Sequence, residues 1–289
     1  MASAVLMDPQ TIVKDALKRV TSISTLPEVT SKIISTVENP NSTAAQLHRI
    51  VSHDPALATR ILKVVNSAFY GLPGQVGSIE RAIVLLGLNA VKNIAVAASI
   101  GQLFRGAKLC DGYTAKDLWT HCIAVAIAAK DLAKQTGQPI ADEAFLAGMI
   151  HDIGLLISLQ LFPEQLREVC EKTKAGGVFA ELEREIIGVD HQMLGMGLAE
   201  QWKFPKPCQL VAGHHHAPSG AQADSRLLVS IVYVADTISC KAGMGFTLTA
   251  QSQTLTPELL AELKIDPAWV ASTTEKLPLL IQAANSLMA

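Results

Sequence analysis

The chain has 289 residues and a formal net charge of −2, so no overall electrostatic field draws it to nucleic acid or to an anionic membrane. Hydrophobic residues make up 49% of the sequence, but aromatic residues only 4%. Alanine, leucine, isoleucine and valine, separated by glutamate, lysine and glutamine, are typical of a packed all-helical protein. We therefore expect an all-α fold with one or two domains.

The sequence also predicts a compartment. The N-terminus shows no basic stretch followed by an apolar one, so no secretory signal is recognisable. Charge-free apolar runs are shorter than a membrane span, and twelve residues separate Lys92 from Arg105. Five cysteines without a C-x-x-C pair indicate reduced thiols. We expect a cytoplasmic protein that binds neither a membrane nor nucleic acid directly.

Apolar residues recur at helical spacing through the first hundred residues, and capping residues mark where helices begin. Asp54 before Pro55, and Ser78, are favourable N-terminal caps, and Pro27 suits a first helical turn. These signals predict helices over roughly 11–21, 27–37, 43–51, 55–65, 79–86 and 89–104.

Glycines and charged residues in 105–113 separate two strongly apolar stretches, so we place the main boundary there. The predicted organisation is an N-terminal extension (1–23), an N-terminal helical part (24–110), a second helical part with the candidate site (111–245) and C-terminal helices (246–289). Predicted helices in the second half cover roughly 115–135, 143–162, 164–174, 179–187, a stretch from His191, 227–240 and two short helices from Pro257. We expect the polar stretch 247–256 to be mobile.

The apolar run 143–157 contains one ionisable pair, His151 and Asp152, which is costly to bury without a partner. Further imidazoles and a second aspartate also lie in apolar helices or at helix ends. They are His121, His191, His214, His215, His216 and Asp236.

If these imidazoles converge, two protonated rings 4 Å apart would repel by about 4 kcal/mol at an effective dielectric of 20. A divalent cation removes this repulsion, because histidine and aspartate bind it in their deprotonated forms. Facing helices of a bundle commonly supply such ligands, which suit Fe, Mn, Zn or Ni. Taken singly, each histidine is more often a hydrogen-bonded core residue or a surface residue, and 214–216 alone could be a solvated turn. The joint pattern is what indicates a metal site.

The order His121, His151–Asp152, Asp236 resembles the ligand order of the HD superfamily of metal-dependent phosphohydrolases. His151-Asp-Ile-Gly154 is also similar to the motif of the HD-GYP branch, which degrades cyclic di-GMP. That branch adds a histidine and then a His-His pair, and His191 and His215–His216 fit those places. The resemblance therefore implies a ligand set of His121, His151, Asp152, His191, His215, His216 and Asp236.

Over roughly 24–240 the chain resembles the HDOD (HD-related output domain) family more closely. The shared motifs are Leu26-Pro27, Asp54-Pro-Ala-Leu57, Val65-Asn-Ser-Ala-Phe-Tyr-Gly71, Ser78-Ile-Glu-Arg-Ala-Ile83 to Leu86-Gly87, Trp119-Thr-His121, Phe145 to Gly154, Asp190-His191 with Gly195, Trp202 with Pro205, and the histidine run. This resemblance implies an all-helical, HD-like bundle with an N-terminal helical subdomain and a bacterial signalling role. Many members of the family have lost their metal ligands, whereas this set is nearly complete. The chain departs from HD-GYP at Leu155, where that branch has lysine, and no Gly-Tyr-Pro follows the histidine run.

The sequence is consistent with three alternative functions. The first is a regulatory module with two bound divalent metal ions, for which Fe or Mn is preferred to Zn or Ni. This module would act in trans on a signalling protein or respond to a nucleotide effector. The second is a metal-dependent phosphohydrolase in which Asp152 bridges two ions and a metal-bound hydroxide attacks the substrate. The third is an iron-based oxygen or redox sensor, or an oxygenase. Asp117, four residues before His121, is either a further ligand, a ligand-supporting residue or a solvated side chain. The choice of two histidines from 214–216 stays open.

Overall fold

Helix-capping residues determine where most helices of the N-terminal half begin. The computed structural model describes residues 8–20, 28–39, 41–67, 70–104, 106 and 108–283. Within these ranges Asp54 Oδ1 accepts from the Leu57 amide at 2.9 Å, and Thr43 and Gln46 form a reciprocal capping box. The helices are α1 (Pro9–Arg19), α2 (Glu28–Glu38), α3 (Ala44–Ser52), α4 (Pro55–Val65), α5 (Ile79–Leu86) and α6 (Leu88–Ile100), followed by a 3-10 turn (Gly101–Phe104). The predicted break at Leu26–Pro27 lies outside the described residues.

The segment 105–113, predicted as the main boundary, contains most of a short β-hairpin that the sequence did not predict. Strand β1 (Lys108–Cys110) pairs antiparallel with β2 (Tyr113–Thr114). Gly112 in the connecting turn has φ of +82°, a left-handed conformation that glycine adopts without strain. The Asp-Gly pair was the available signal for this turn.

The second half is helical, and the predicted all-α class is confirmed. Its elements are α7 (Ala115–Gln135), α8 (Ala141–Ile150), α9 (Gly154–Leu161), α10 (Pro163–Lys174), α11 (Phe179–Ile186), α12 (His191–Gln201), α13 (Lys206–His214), α14 (Arg226–Lys241), α15 (Pro257–Glu262) and α16 (Pro267–Ala283). Helices α7, α8 and α14 pack together around the candidate site. Helix α6 packs on α2, α4 and α8, so one hydrophobic core runs through both halves.

The prediction of one continuous helix through His151–Asp152 is wrong. The chain leaves α8 at Ile150 and starts α9 at Gly154, with a turn between them. A Cβ atom on Gly154 would lie 1.9 Å from the carbonyl oxygen of His191, so α9 approaches the start of α12 as closely as a glycine allows. The helix break coincides with this contact between distant parts of the chain. The periodicity of apolar residues reflects only local structure, so it could not predict the break.

The stretch Ala141–Leu161, taken as a single helical unit, is long and apolar enough to cross a membrane by length and composition. However, 83% of its apolar window is buried inside the protein. Its hydrophobicity is explained by its place in the core, between α7, α12 and α13.

Candidate metal centre

The structure brings the seven predicted ligands together in one cluster. His121 lies on α7, His151 and Asp152 form the turn between α8 and α9, and His191 is the first residue of α12. The remaining three are His215 and His216, directly after α13, and Asp236 on α14. All are completely buried except the His216 side chain, which is 10% exposed.

Two groups of side chains can each surround an ion. In the first, one ligand atom each from His121, His151 and Asp236 lies within 4.8 Å of the others. His121 Nε2 is 3.0 Å from Asp236 Oδ1. In the second group, ligand atoms of Asp152, His191, His215 and His216 meet the same limit.

Asp152 faces both groups. Its Oδ2 lies 3.3 Å from His151 Nε2 and 3.9 Å from His121 Nε2. Its Oδ1 lies 3.3 Å from His215 Nε2 and 3.4 Å from His191 Nε2. One carboxylate oxygen is thus directed at each group, which is the placement that a shared ligand needs.

The Nδ1 atoms of four histidines already have acceptors. His121 Nδ1 lies 3.2 Å from Met244 O, His151 Nδ1 2.8 Å from Gly148 O, and His215 Nδ1 3.2 Å from Val211 O. Since a carbonyl oxygen only accepts, each of these Nδ1 atoms carries a proton, and the Nε2 atoms are directed into the cluster, where His121 Nε2 lies 3.0 Å from Asp236 Oδ1. Metal-bound histidines commonly have this second hydrogen bond, which fixes the tautomer and the ring orientation.

For the fourth histidine, His191, the acceptor at Nδ1 is a carboxylate and not a backbone carbonyl. Glu183 on α11 is completely buried; its Oε2 contacts His191 Nδ1 and accepts from the His191 backbone amide at 2.9 Å. Glu183 was missed by the sequence analysis, because three glutamates stand at alternate positions of α11 and nothing local distinguishes the buried one.

Two polar atoms inside the cluster have no hydrogen-bond partner among the described residues. His151 Nε2 and Asp152 Oδ1 are buried and have no hydrogen bond within the described part of the chain. Such groups are rare in folded proteins because each costs about 1–3 kcal/mol. A cation bound by these lone pairs removes that cost, so the residues fit a metal ion.

The ionisation of the cluster also suits a cation. Burial disfavours the charged form of Asp152, but the imidazoles of His151, His215 and His191 outweigh it and hold its pKa well below the usual range. Burial and the neighbouring rings of His215 and His191 lower the pKa of His216 well below its usual value. Asp152 and His216 are therefore in the deprotonated states that bind metal. Burial disfavours the charged form of His151, but Asp152 outweighs it and raises the pKa of that imidazole.

The pKa of His191 is raised as well. Burial alone would lower its pKa, but Glu183 and Asp152 raise it to about 9. A metal ion at His191 Nε2 therefore competes with a proton at neutral pH.

The structure also places His214 and Asp117, whose roles the sequence left open. His214 does not belong to either group. Asp117 accepts from the Thr114 amide at 2.7 Å and caps α7, and Asp190 caps α12 by accepting from the Met193 amide at 2.9 Å. In the stretch 247–256, which was predicted to be mobile, Leu248, Thr249 and Ala250 are buried, and Thr249 Oγ1 donates to Asp152 Oδ2 at 3.3 Å.

Fold and site together define an all-helical protein with a buried histidine–carboxylate cluster. The HDOD domain family model matches residues 23–218, which is more than half of the chain. The chain therefore belongs to the HDOD family, as its motifs predicted.

Similar proteins support the fold. An HDOD domain protein of unknown function from Geobacter sulfurreducens is 20% identical, with a TM-score of 0.81 over 96% of this chain and 98% of its own. A candidate phosphohydrolase from Shewanella amazonensis is 23% identical, with a TM-score of 0.76 over the same shares of the two chains. An uncharacterised protein of Treponema pallidum is 26% identical over 223 residues, and the match covers 76% of this chain but only 43% of that relative. The matched region thus spans less than half of the curated relative.

Proposed function

We propose that the protein is a bacterial regulatory HDOD protein that retains a dinuclear metal centre. His121, His151 and Asp236 would hold one divalent ion, and His191, His215 and His216 the other, with Asp152 shared between them. Iron or manganese is the preferred metal. A signalling protein or a nucleotide effector would act with it in trans in the cytoplasm.

One observation carries this proposal. Four imidazoles donate hydrogen bonds from Nδ1 to outer acceptors, and the Nε2 atoms of three of them lie 3.3–3.4 Å from the Asp152 carboxylate, whose Oδ1 has no donor among the described residues. A hydrogen-bond network would instead alternate donors and acceptors. Converging lone pairs favour a cation.

The experiment compares metal binding by wild-type protein and His191→Ala, with His48→Ala as the control. His48 is an exposed histidine on α3, where it pairs with Glu80 at 2.8 Å. We expect His191→Ala to lower the bound Mn²⁺ or Fe²⁺ and His48→Ala to leave it unchanged. Equal binding by all three proteins would remove His191 from the centre.

A phosphohydrolase is the second candidate, favoured by the position of Asp152 between the two groups. A divalent ion bound there would supply Lewis acidity toward a phosphoester oxygen. The Shewanella amazonensis neighbour is described as such an enzyme. Against this candidate, Leu155 is completely buried and supplies no cation for a substrate phosphate.

Turnover of a panel of phosphodiesters by the Mn²⁺- or Fe²⁺-loaded protein distinguishes the two candidates. Hydrolysis that disappears in His191→Ala would establish the phosphohydrolase. Metal binding without turnover supports the regulatory protein.

A further inference from the structure

Two of the five cysteines lie against each other where the β-hairpin meets a helix of the second half. Cys110 is the last residue of β1, and Cys170 lies on α10, which packs against β1. Both residues are buried, and the Cys170 thiol forms a hydrogen bond with the Cys110 sulfur. Cys170 lies 60 positions after Cys110, so a bond between the two sulfur atoms would join distant parts of the chain.

A lysine is anchored beside this pair. Lys174, one turn after Cys170 on α10, donates from Nζ to Asp111 O at 2.6 Å, and Cys110 Sγ lies 3.8 Å from the same oxygen. The Lys174 ammonium also lies 5.6 Å from the centre of the Tyr113 ring. A positive charge next to a thiol favours the thiolate, which is the form that reacts with oxidants.

The two thiols of the pair are not equivalent. The hydrogen bond from Cys170 lowers the pKa of Cys110, and the ammonium of Lys174 adds to this effect, while burial and Asp111 oppose it. The same hydrogen bond, together with burial, raises the pKa of Cys170. Cys110 is therefore the nucleophile of the pair, and Cys170 supplies the second thiol.

A cavity leads to Cys110. Its volume is about 460 Å³, and its lining includes Cys110, Gly106, Gly112 and Thr114. Cys110 itself is only 1% exposed. The cavity therefore suits a small oxidant such as hydrogen peroxide better than a bulky thiol reagent.

We propose that Cys110 and Cys170 are a peroxide-reactive pair that closes to a disulfide. The Cys110 thiolate attacks one oxygen of hydrogen peroxide, so an S–O bond forms, the O–O bond breaks and hydroxide leaves, which takes a proton from solvent to become water. The Cys170 sulfur then attacks the sulfenic acid on Cys110. The S–S bond forms, the S–O bond breaks, and the Cys170 proton leaves with the hydroxide as water. The two thiols lose two electrons, and one peroxide is reduced to two water molecules.

This modification site lies outside the proposed metal centre and adds a second chemistry to the protein. In a reducing compartment a disulfide of this kind is transient, so it is compatible with the reduced thiols that the sequence predicts.

The experiment treats reduced wild-type protein with a small excess of hydrogen peroxide, both as purified and after treatment with a chelator. The cysteines are then mapped by mass spectrometry after alkylation in denaturant. We expect a linked Cys110–Cys170 peptide pair in both samples, with the other three of the five cysteines free. Cys170→Ser should leave a sulfenic acid on Cys110 that dimedone traps. Cys240→Ser is the control, because Cys240 is more exposed than either member of the pair and its loss should leave the link unchanged.

A second pair of variants tests the anchored lysine. Lys174→Gln should slow formation of the disulfide about twofold to fivefold, as the loss of one surface charge implies, and should move the pH profile of the rate to higher pH. Lys172→Gln is the matched control, since Lys172 lies on the same helix and pairs with Glu168 at 2.9 Å. It should keep the wild-type rate and pH profile.

No linked Cys110–Cys170 peptide in the wild type, or faster oxidation of Cys240 than of the pair, would overturn the proposal. Because the link is measured with and without metal, its failure would leave the metal centre intact, and failure of the metal centre would leave the link intact.

Discussion

Replacing Glu183 by glutamine tests how the fold supports the candidate metal ligands. The carboxylate is completely buried, and it contacts His191 at both Nδ1 and the backbone amide. A glutamine retains the volume and one acceptor oxygen but removes the charge, so the His191 ring becomes a weaker ligand. Loss of such a supporting residue typically costs 10–100-fold in metal affinity, which corresponds to about 1.4–2.7 kcal/mol. We expect Glu183→Gln to lie at the lower end of this range, because the hydrogen bond is weakened and not lost, and because the variant also lowers the pKa of His191 and so reduces the competition from a proton.

The assay is a competition titration of Mn²⁺ or Fe²⁺ against a chromogenic chelator under anaerobic conditions. Glu185→Gln is the matched control, since it removes the same charge from an exposed position on α11. Wild-type affinity in Glu183→Gln would refute the argument that Glu183 orients and activates His191. An equal loss in Glu185→Gln would show that net charge, and not this contact, determines the affinity.

Three further predictions follow from the same contacts. Gly154→Ala should destabilise the protein by about 1–3 kcal/mol or more in urea unfolding, because its Cβ would lie 1.9 Å from the His191 carbonyl oxygen; wild-type stability would contradict this packing. His216→Ala should lower the metal content measured by elemental analysis while His214→Ala does not, and the reverse result would exchange the two assignments. In metal-free protein the pKa of His191, raised to about 9, adds stability that is complete below the unfolded value of about 6.5 and is lost as pH rises through 9. Thermal unfolding in the presence of a chelator should show this loss of stability at high pH. The loss should be smaller in Glu183→Gln, because the charge that raises the pKa of His191 is removed.

Much of the site could be predicted because its ligands carry a local signal. His151 and Asp152 stand in an otherwise apolar run, and burying them there requires a partner. Helix ends were predictable where a side chain caps them, as at Asp54 and Thr43. For residues of this kind, the immediate neighbours in the sequence indicate the environment in the fold.

The remaining features depend on contacts between distant parts of the chain. The helix break after Ile150 accompanies the approach of Gly154 to His191, which lies 37 positions further on. Glu183 and Gln253 lie in polar stretches whose local composition is that of solvent-exposed surface, although the Gln253 amide contacts His216. Only the fold brings them against the imidazoles, so no local pattern distinguishes them from their exposed neighbours.

The metal content per chain tests the central claim most directly. Protein purified without chelator and without oxygen should contain two equivalents of divalent metal, Fe or Mn, by elemental analysis. His151→Ala with Asp152→Ala should abolish that content, because the pair contributes to both groups of ligands. No bound metal in the wild type, even after anaerobic reconstitution with Fe²⁺ and Mn²⁺, would show that the buried cluster is a hydrogen-bond network and would contradict the account.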